Sequence, residues 1–368
     1  MEYRKLEEPS PDGYLAIWLK KDSMAILIRH TERQNFRKML TDLARREVNN
    51  SDHLLPHDVF PLISPAILPL CTERGIPVVM SCDDYRPTCP VVTHFRDGHT
   101  CTLCLGGREY WAILKNCRKN YAESFTVALY NTLARRVYAF QKHVRLFIAP
   151  SEFTRRWHIE HAGLDPDRII TISPVVEIPE SAADPAAGSY VAFAGRFAPE
   201  KGMDTLAAAA RLSGLPFRLS RNERYVRSVQ IPPEMHVVVT RNRDELNAFY
   251  RGARMLVFPS MWFETFGLVG AEAMSHGIPV VVARIGALSE LVEDGVSGLL
   301  FEPGDPRDLA EKVTRLWDDP QLSRRLGQAA RQRATNLWRP QRHFERLLSA
   351  YEEVVGRRVL PPEVVVQG

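Results

Sequence analysis

The sequence predicts an α/β protein whose sheets are doubly wound, with helices on both faces of parallel strands. Two segments carry the prediction, because 190–212 and 255–275 each pass from a short apolar run, through a loop, into a helical pattern. Gly277 follows the second pattern closely enough to end its helix. Strands that alternate with helices favour parallel sheets, and ligands bind such sheets at the carboxyl ends of the strands. Both loops are therefore predicted to border one crevice.

The first half of the chain repeats this pattern more weakly. The apolar runs Tyr14–Leu19 and Met24–Arg29 flank a short polar segment and predict a hairpin. Ser151 stands where it can cap a following helix. The other predicted elements are helices over 31–46, 119–145 and 152–162, strands over 52–55, 76–81 and 168–172, and a short strand at the end of 143–150. A linker at 178–189, rich in Pro, Ala and Ser, then separates a first domain, 1–177, from a second domain, 190–338.

Length and composition indicate a globular protein of about two domains. The chain has 368 residues, of which 45% are hydrophobic and 25% charged. The net charge of +4 is small, and the chain contains neither a basic tract nor an aromatic-studded RNA motif, so we expect no nucleic-acid partner. Because no apolar run approaches the ~18 residues of a membrane span and residues 1–8 contain no signal-peptide core, a cytoplasmic protein is expected.

A pair of carboxylates forms the first candidate site. Glu264 and Glu272 are separated by seven residues and straddle the start of the helix predicted from Gly267. Glu264 precedes the helix and could accept hydrogen bonds from sugar hydroxyls, whereas Glu272 lies over one turn inside it and suits a ribose diol. The backbone amides of Phe266, Gly267 and Leu268 could hold a diphosphate at the helix N-terminus. Spacing alone also fits a solvated loop acid and an ordinary helix residue.

The loop after the strand Tyr190–Ala194 supplies two cations. It carries Gly195, Arg196 and Lys201. An arginine can clamp phosphate oxygens in a bidentate manner and a lysine adds a compact charge, so together they could neutralise a departing diphosphate. A basic turn that caps a helix is the alternative for this loop alone. Combined with the carboxylate pair in the same predicted domain, it indicates a site for a nucleotide sugar.

With these motifs in place, the chain resembles retaining glycosyltransferases of family 4, the glycosyl transferases group 1. The resemblance is carried by Ala192–Gly202, Val257–Met274 and Gly277–Ala283 and extends from about 51 to 355. It implies the GT-B fold, two Rossmann-like domains that face a cleft, with a C-terminal helix at 339–357 that crosses back onto the first domain. It also implies that Arg196 and Lys201 bind the donor diphosphate, Glu264 the transferred sugar, the Phe266–Leu268 backbone both of these, and Glu272 the ribose.

The same resemblance implies a function. The expected reaction is metal-independent transfer of a hexose-like sugar, with retention, from a UDP- or GDP-sugar to a glycan or lipid-linked acceptor, with no cofactor required for catalysis. Arg221–Arg224 and Thr240–Arg241 replace glycines that in relatives usually border the base, so the resemblance does not fix the base. UDP is the default and GDP the second choice. A GT-B sugar-nucleotide epimerase, a non-catalytic nucleotide-sugar-binding protein and an inactive scaffold remain alternatives.

The acceptor side departs from the family pattern. His57 opens its clearest family-like run, but Asp83, followed by Asp84, stands where relatives usually have a histidine. An exposed Asp is anionic and cannot donate a hydrogen bond to a sugar hydroxyl, so either the donor sugar differs or the site is impaired. Turn or capping roles are the alternative for both acids. Gly13 is the only glycine among the first 70 residues, which predicts a shortened or rebuilt N-terminus without the usual glycine-rich loop.

Four cysteines suggest a structural metal site. Cys89, Cys101, Cys104 and Cys117 have a spacing that suits tetrahedral zinc, with reduced thiols or a disulfide pair as alternatives. Cys71 and Cys82 are expected to be ordinary buried thiols.

The predicted helix over 119–145 has a basic and an apolar side. Its basic residues are Arg135, Arg136, Lys142 and Arg145, and its apolar residues are Phe125, Leu129, Leu133, Val137 and Phe140. Such a helix could rest on the inner face of the cell membrane. We favour the other interpretation, in which the apolar stripe packs on the core and the charged side is solvated.

Overall fold

The computed structural model describes the strands at 14–19, 24–29 and 53–56 and the chain at 67–73, 75–137, 139–221 and 235–356. Three predictions fall outside the described residues. They are the helix over 31–46, the shortened N-terminus without a glycine-rich loop before residue 51, and the acceptor-side role of His57.

Small sheets occupy the first half of the chain. Their strands are β1 (Tyr14–Leu19), β2 (Met24–Arg29), β3 (His53–Pro56), β4 (Val79–Ser81), β5 (Phe95–Arg96), β6 (His99–Thr100), β7 (Leu146–Ala149) and β8 (Ile169–Thr171). β1 pairs antiparallel with β2, which confirms the predicted pairing, and β2 pairs parallel with β3. β4, β7 and β8 form a parallel sheet in that order, and β3 lies next to β4. β5 and β6 form a short antiparallel pair.

One predicted helix of this half is wrong. The described helices are α1 (Ile67–Glu73), α2 (Tyr110–Leu114), α3 (Tyr121–Thr132), α4 (Phe140–His143) and α5 (Glu152–Ala162). Instead of one helix over 119–145, α3 continues as a π-helical turn at Leu133–Val137, and the chain then turns at Ala139, whose φ is 43°. A left-handed residue cannot continue a right-handed helix. The turn lets Phe140 bury itself against Phe147, with ring centroids 6.2 Å apart.

The second half contains a six-stranded parallel sheet in the order β11-β10-β9-β12-β13-β14. Its strands are β9 (Tyr190–Ala194), β10 (Phe217–Arg221), β11 (Met235–Val239), β12 (Ala253–Phe258), β13 (Val280–Ala283) and β14 (Gly298–Phe301). Every residue of β9, β13 and β14 is buried, because hydrophobic clusters cover both faces of the sheet.

The helices of this half connect the parallel strands and extend beyond them. They are α6 (Met203–Ser213), α7 (Arg243–Arg251), α8 (Leu268–Ser275), α9 (Leu288–Leu291), α10 (Pro306–Asp318), α11 (Pro320–Trp338) and α12 (Pro340–Val355). The strand order reverses between β9 and β12, which makes this the switch point where such sheets bind ligands. The loops after β9 and β12 are the two that carry the predicted site.

The C-terminal helix α12 packs against the sheet of the first half. Ala350 and Tyr351 are buried in one cluster with Val79, Leu146 and Ile148. No helix in the described ranges combines the length and the apolar character needed to cross a membrane.

Candidate functional site

The loops after β9 and β12 lie in direct contact. Gly202 has a φ of 70°, and a Cβ added there would come within 1.8 Å of the carbonyl oxygen of Pro259. The amide of Met261 donates to the carbonyl of Glu200 at 2.9 Å. Only glycine permits this close approach, so Gly202 brings the two predicted motifs together.

An ion pair joins the two motifs at their centre. Lys201 Nζ lies 2.6 Å from Glu264 Oε1, and the side chains of Lys201 and Glu264 are only 13% and 9% exposed. The ammonium also lies 5.0 Å from the centre of the Trp262 ring and 5.6 Å from that of Phe258. The lysine is therefore fixed by a carboxylate and two aromatic faces.

Glu264 is a buried and strongly bound carboxylate, which excludes the alternative of a solvated loop acid. Its Oε1 accepts from Ser260 Oγ at 2.5 Å and from Trp262 Nε1 at 2.7 Å in addition to Lys201. Within the described part of the chain, Oε2 receives no hydrogen bond. The geometry therefore leaves one carboxylate oxygen able to accept from a ligand hydroxyl.

Arg196 is placed more loosely than Lys201. Its guanidinium lies 3.5 Å from Glu200 Oε1, and its side chain is 51% exposed. Gly195 before it has a φ of 145° and donates from its amide to the carbonyl of Ser220 at 3.2 Å. The backbone is thus tied to β10 while the guanidinium projects largely into solvent.

The N-terminus of α8 lies beside Glu264. Gly267 adopts a φ of 102° and is the N-cap, without a side-chain hydrogen bond to the helix. The first amides of a helix, here those from Leu268 onward, have no acceptor within the helix and carry its positive dipole end. Phe266 is buried against Trp338, with ring centroids 5.6 Å apart. No described residue accepts from these amides, so they can hold an anion next to the Lys201–Glu264 pair.

Glu272 is the second buried carboxylate of the site. Arg243 Nη1 donates to its Oε1 at 2.6 Å, and the Tyr250 hydroxyl donates to its Oε2 at 2.8 Å. Both partners come from α7, which packs beside α8 through this contact. Glu272 is therefore held in place by two side chains rather than standing free on its helix.

Sequence reasoning missed four residues of this arrangement. Ser260 and Trp262 hold Glu264, and Arg243 and Tyr250 hold Glu272. A signal existed for the second pair, because residues seven apart lie on the same side of a helix. The only signal for Ser260 and Trp262 was their position in the same loop as Glu264.

The predicted acceptor-side acids line one pocket of the first half. Asp83 accepts from Ser81 Oγ at 2.8 Å, and Asp84 accepts from both the amide and the guanidinium of Arg86, at 2.8 and 3.0 Å. Asp84 thus makes the turn contact of the alternative interpretation. The pocket is lined by Met80, Ser81, Cys82, Asp83, Asp84, Arg86, Pro87, Asn131, Ala134, Arg135 and Phe140.

Residues of the first half also contact the loop after β12 and the helix α9. The Tyr85 hydroxyl lies 3.5 Å from the carbonyl oxygen of Glu264. Thr154, in the first turn of α5, donates from Oγ1 to the carbonyl of Thr265 at 3.0 Å. The amide of Phe153 donates to Glu290 Oε2 at 2.9 Å. The pocket with Asp83 and Asp84 therefore belongs to the part of the first half that faces Glu264.

The four cysteines predicted to bind zinc are all free thiols and lie in one neighbourhood. Burial raises the pKa of Cys104 to about 12, and the nearby thiols of Cys89, Cys117 and Cys101 add to the shift. As the side chains stand, no three or more His, Cys, Asp or Glu residues in the described ranges are arranged to hold a metal ion. Cys71 and Cys82 are buried, as expected.

Our favoured interpretation of the 119–145 segment is wrong for four of its five apolar residues. Phe125, Leu129, Leu133 and Val137 are between 37% and 64% exposed, whereas Phe140 packs on the core. Tyr121, in the same helix, is 65% exposed. The buried side of α3 consists of Ser124, Ala128 and Asn131 instead. Small and polar residues thus face inward because the helix lies close to its neighbours, and the larger apolar stripe faces outward.

Comparisons with known proteins agree with this architecture. Residues 177–333 match the family described as Glycosyl transferases group 1. The D-inositol 3-phosphate glycosyltransferase of Nocardiopsis dassonvillei is 32% identical over 58% of this chain and 57% of its own length. The enzyme of that name from Pseudarthrobacter chlorophenolicus is 34% identical over 56% of each chain. The chain spans about half the length of the curated relatives that it matches.

Solved structures show the fold. Sucrose-phosphate synthase from Thermosynechococcus elongatus superposes with a TM-score of 0.66 at 18% identity, covering 89% of this chain and 81% of its own. Anabaena HepE in complex with UDP-glucose superposes with a TM-score of 0.61 at 19% identity, covering 87% and 84%. The chain therefore has the GT-B fold that the sequence predicts.

Proposed function

We propose that this chain, which belongs to the glycosyl transferases group 1 through residues 177–333, transfers a hexose-like sugar from a nucleoside diphosphate sugar to a hydroxyl acceptor with retention of configuration. UDP is the preferred nucleotide of the donor, a choice supported by the UDP-glucose complex of the similar HepE. The domain division at 1–177, 178–189, 190–338 and 339–357 belongs to this proposal, with the donor in the second domain.

The observation that carries the proposal is the buried Lys201–Glu264 pair at the switch point, next to the α8 N-terminus. A donor diphosphate placed there meets a fixed ammonium and unpaired amides, and the half-exposed Arg196 can reach it from solvent. The ammonium and the amides stabilise the negative charge that develops as the diphosphate leaves, without reorganising at the moment of reaction. Glu264 orients the sugar through its open oxygen, and the two cations take the place of a catalytic metal.

The acceptor side is proposed to be the pocket that contains Asp83 and Asp84. Its two arginines are already paired: Arg86 with Asp84 at 3.0 Å, and Arg135 with the buried Glu109 at 2.7 Å. Cations that are neutralised in this way bind an added phosphate poorly. The pocket chemistry therefore supports a hydroxyl-rich glycan or lipid-linked acceptor, although the relatives are named for an inositol phosphate.

The decisive experiment has two stages. Calorimetry with UDP, GDP and a panel of their sugars identifies the donor, and mass analysis of incubations with candidate acceptors identifies the product. Arg196→Ala and Lys201→Ala should each lower turnover by about 100-fold or more. Arg211→Ala, on the exposed side of α6, is the control that should leave turnover unchanged. Unchanged transfer in the Lys201 variant would refute the assigned role.

The same incubations separate the alternatives. Isomerised sugar nucleotide formed without any acceptor identifies an epimerase. Tight UDP binding with neither hydrolysis nor transfer identifies a non-catalytic binding protein. Failure to bind any nucleotide identifies a scaffold and contradicts the donor site.

A peripheral membrane contact forms a finer part of the proposal. Tyr121, Phe125, Leu129, Leu133 and Val137 are exposed and recur at every fourth residue, so each lies next to the following one on the outer surface of α3 and the π-helical turn. Arg136 is exposed in the same segment, and Lys115 and Lys119 are exposed shortly before α3 in the chain. Apolar and basic groups together suit an anionic lipid surface. Co-sedimentation with anionic vesicles should fall when Phe125 and Leu129 are replaced by Ser, whereas neutral vesicles should bind weakly in every case.

A structural zinc ion held by Cys89, Cys101, Cys104 and Cys117 also stays a proposal. It requires the thiol side chains to rotate toward one another, since they are not positioned to coordinate as they stand. Elemental analysis of the purified protein tests it. About one zinc per chain, lost in Cys104→Ser but kept in the control Cys71→Ser, supports the site, and the absence of bound metal contradicts it.

A further inference from the structure

The carboxylate of Glu272 is held on both oxygens by one helix. Arg243, the first residue of α7, donates to Oε1, and Tyr250, seven residues later, donates to Oε2. These two residues lie on the same side of α7 about two turns apart. Tyr250 is fully buried, whereas the Glu272 side chain keeps 11% of its surface exposed. The orientation of the carboxylate is therefore set by α7 rather than by solvent.

This arrangement leaves a defined capacity for further hydrogen bonds. An ionised carboxylate offers about four acceptor positions, two on each oxygen. The residues of α7 fill one position on each oxygen, and no other described residue bonds to either oxygen, so within this part of the chain one position on each remains. Two neighbouring hydroxyls, such as those of a ribose, can occupy these two positions together.

The two donors have complementary roles. Arg243 supplies the opposite charge that a buried carboxylate requires. Burial, and next the charge of Glu272, raise the pKa of the Tyr250 phenol well above its ordinary value, so this hydroxyl stays a donor throughout the working pH range. Arg243 Nε also lies 3.6 Å from Oε2 of Glu177, the last residue before the predicted linker. The guanidinium is thus held between two acids.

We infer that Arg243 and Tyr250 are positioning residues that fix Glu272 so that its two open acceptor positions receive the 2′ and 3′ hydroxyls of the donor nucleotide, selecting ribonucleotides over deoxyribonucleotides. This inference rests on the proposed donor site, in which Glu272 receives the ribose, and adds to it the two residues that orient this carboxylate. Neither residue need touch the nucleotide for this role, because each acts through the carboxylate.

The test compares the affinities of UDP and 2′-deoxy-UDP by calorimetry, with GDP and 2′-deoxy-GDP measured in parallel. Hydrogen bonds to a charged group predict that the wild type prefers the ribonucleotide by about 10-fold or more. Tyr250→Phe and Arg243→Gln should reduce this preference to about 3-fold or less. Glu272→Gln, which lacks the carboxylate itself, should show the smallest preference. The matched controls are Tyr351→Phe, a buried tyrosine of α12, and Arg324→Gln, which breaks a surface ion pair with Asp184. Both should keep the wild-type preference.

The ratio distinguishes positioning from simple structural support. A variant that loses affinity for both nucleotides equally keeps its preference, and that result would overturn the inference while leaving the donor site intact. An unchanged preference in Tyr250→Phe and Arg243→Gln overturns it as well. If the wild type binds neither UDP nor GDP, the proposed function itself fails, and the inference falls with it.

Discussion

The Lys201–Glu264 pair offers a stability test of how the proposed donor site is built. Replacing Lys201 by Met removes the cation and leaves a carboxylate that is only 9% exposed. Removing one partner of a buried pair costs about 3–5 kcal/mol. Because Ser260 and Trp262 still donate to Glu264, we place this loss at the lower limit, about 3 kcal/mol. For a unit of about 150–250 residues, this loss corresponds to a melting temperature lower by about 6–12 °C.

The double variant separates pairing from packing. Glu264→Gln alone leaves the Lys201 ammonium without its carboxylate in a confined place, and it should also destabilise the protein. In Lys201→Met with Glu264→Gln, no charge remains to be compensated, so stability should return to within about 1 kcal/mol of the wild type.

Urea unfolding and calorimetric melting of the four proteins give the coupling free energy, which we expect to be about 2 kcal/mol or more. Because both side chains are buried, 1 M salt should screen the pair only weakly, and it should not reproduce the loss of stability caused by the substitutions. If the loss in the double variant equals the sum of the two single losses, the residues act independently and the reasoning is refuted.

Three further outcomes are expected. Gly202→Ala should destabilise the protein and abolish donor binding, because its Cβ would overlap the Pro259 carbonyl; normal melting and binding would contradict the assigned loop contact. Glu290→Ala removes the acceptor of the Phe153 amide and the partner of Arg156, so protease sensitivity between the two halves should rise, as limited proteolysis can detect. Burial lowers the pKa of the histidines His94, His158 and His276 from 6.5 to about 4. Folding favours the neutral imidazoles, so their contribution to the free energy of unfolding is complete above pH 6.5. It is lost as the pH falls from 6.5 toward 4. A melting temperature that is constant over this interval would contradict that account.

The parallel sheet and its loops were predictable because their signals are local. β9, β12 and β13 are short apolar runs that end in glycine- or proline-containing loops, and α5, capped by Ser151, begins and ends at the predicted residues. The segment after α3 was not predictable in this way. Its apolar residues follow a helical period, but a period does not tell which side of the helix faces the core.

The sequence by itself determined that this protein has paired strand-loop-helix units with two cations and two carboxylates at the ends of the strands. Tertiary structure alone decided which of these groups meet. Lys201 and Glu264 are 63 residues apart, and they touch because Gly202 lets one loop pass the other at the switch point. Arg243 and Tyr250 reach Glu272 because α7 packs beside α8. Such partners depend on the distances between elements that are remote in the chain, and residue types and spacing within one segment carry no information about those distances.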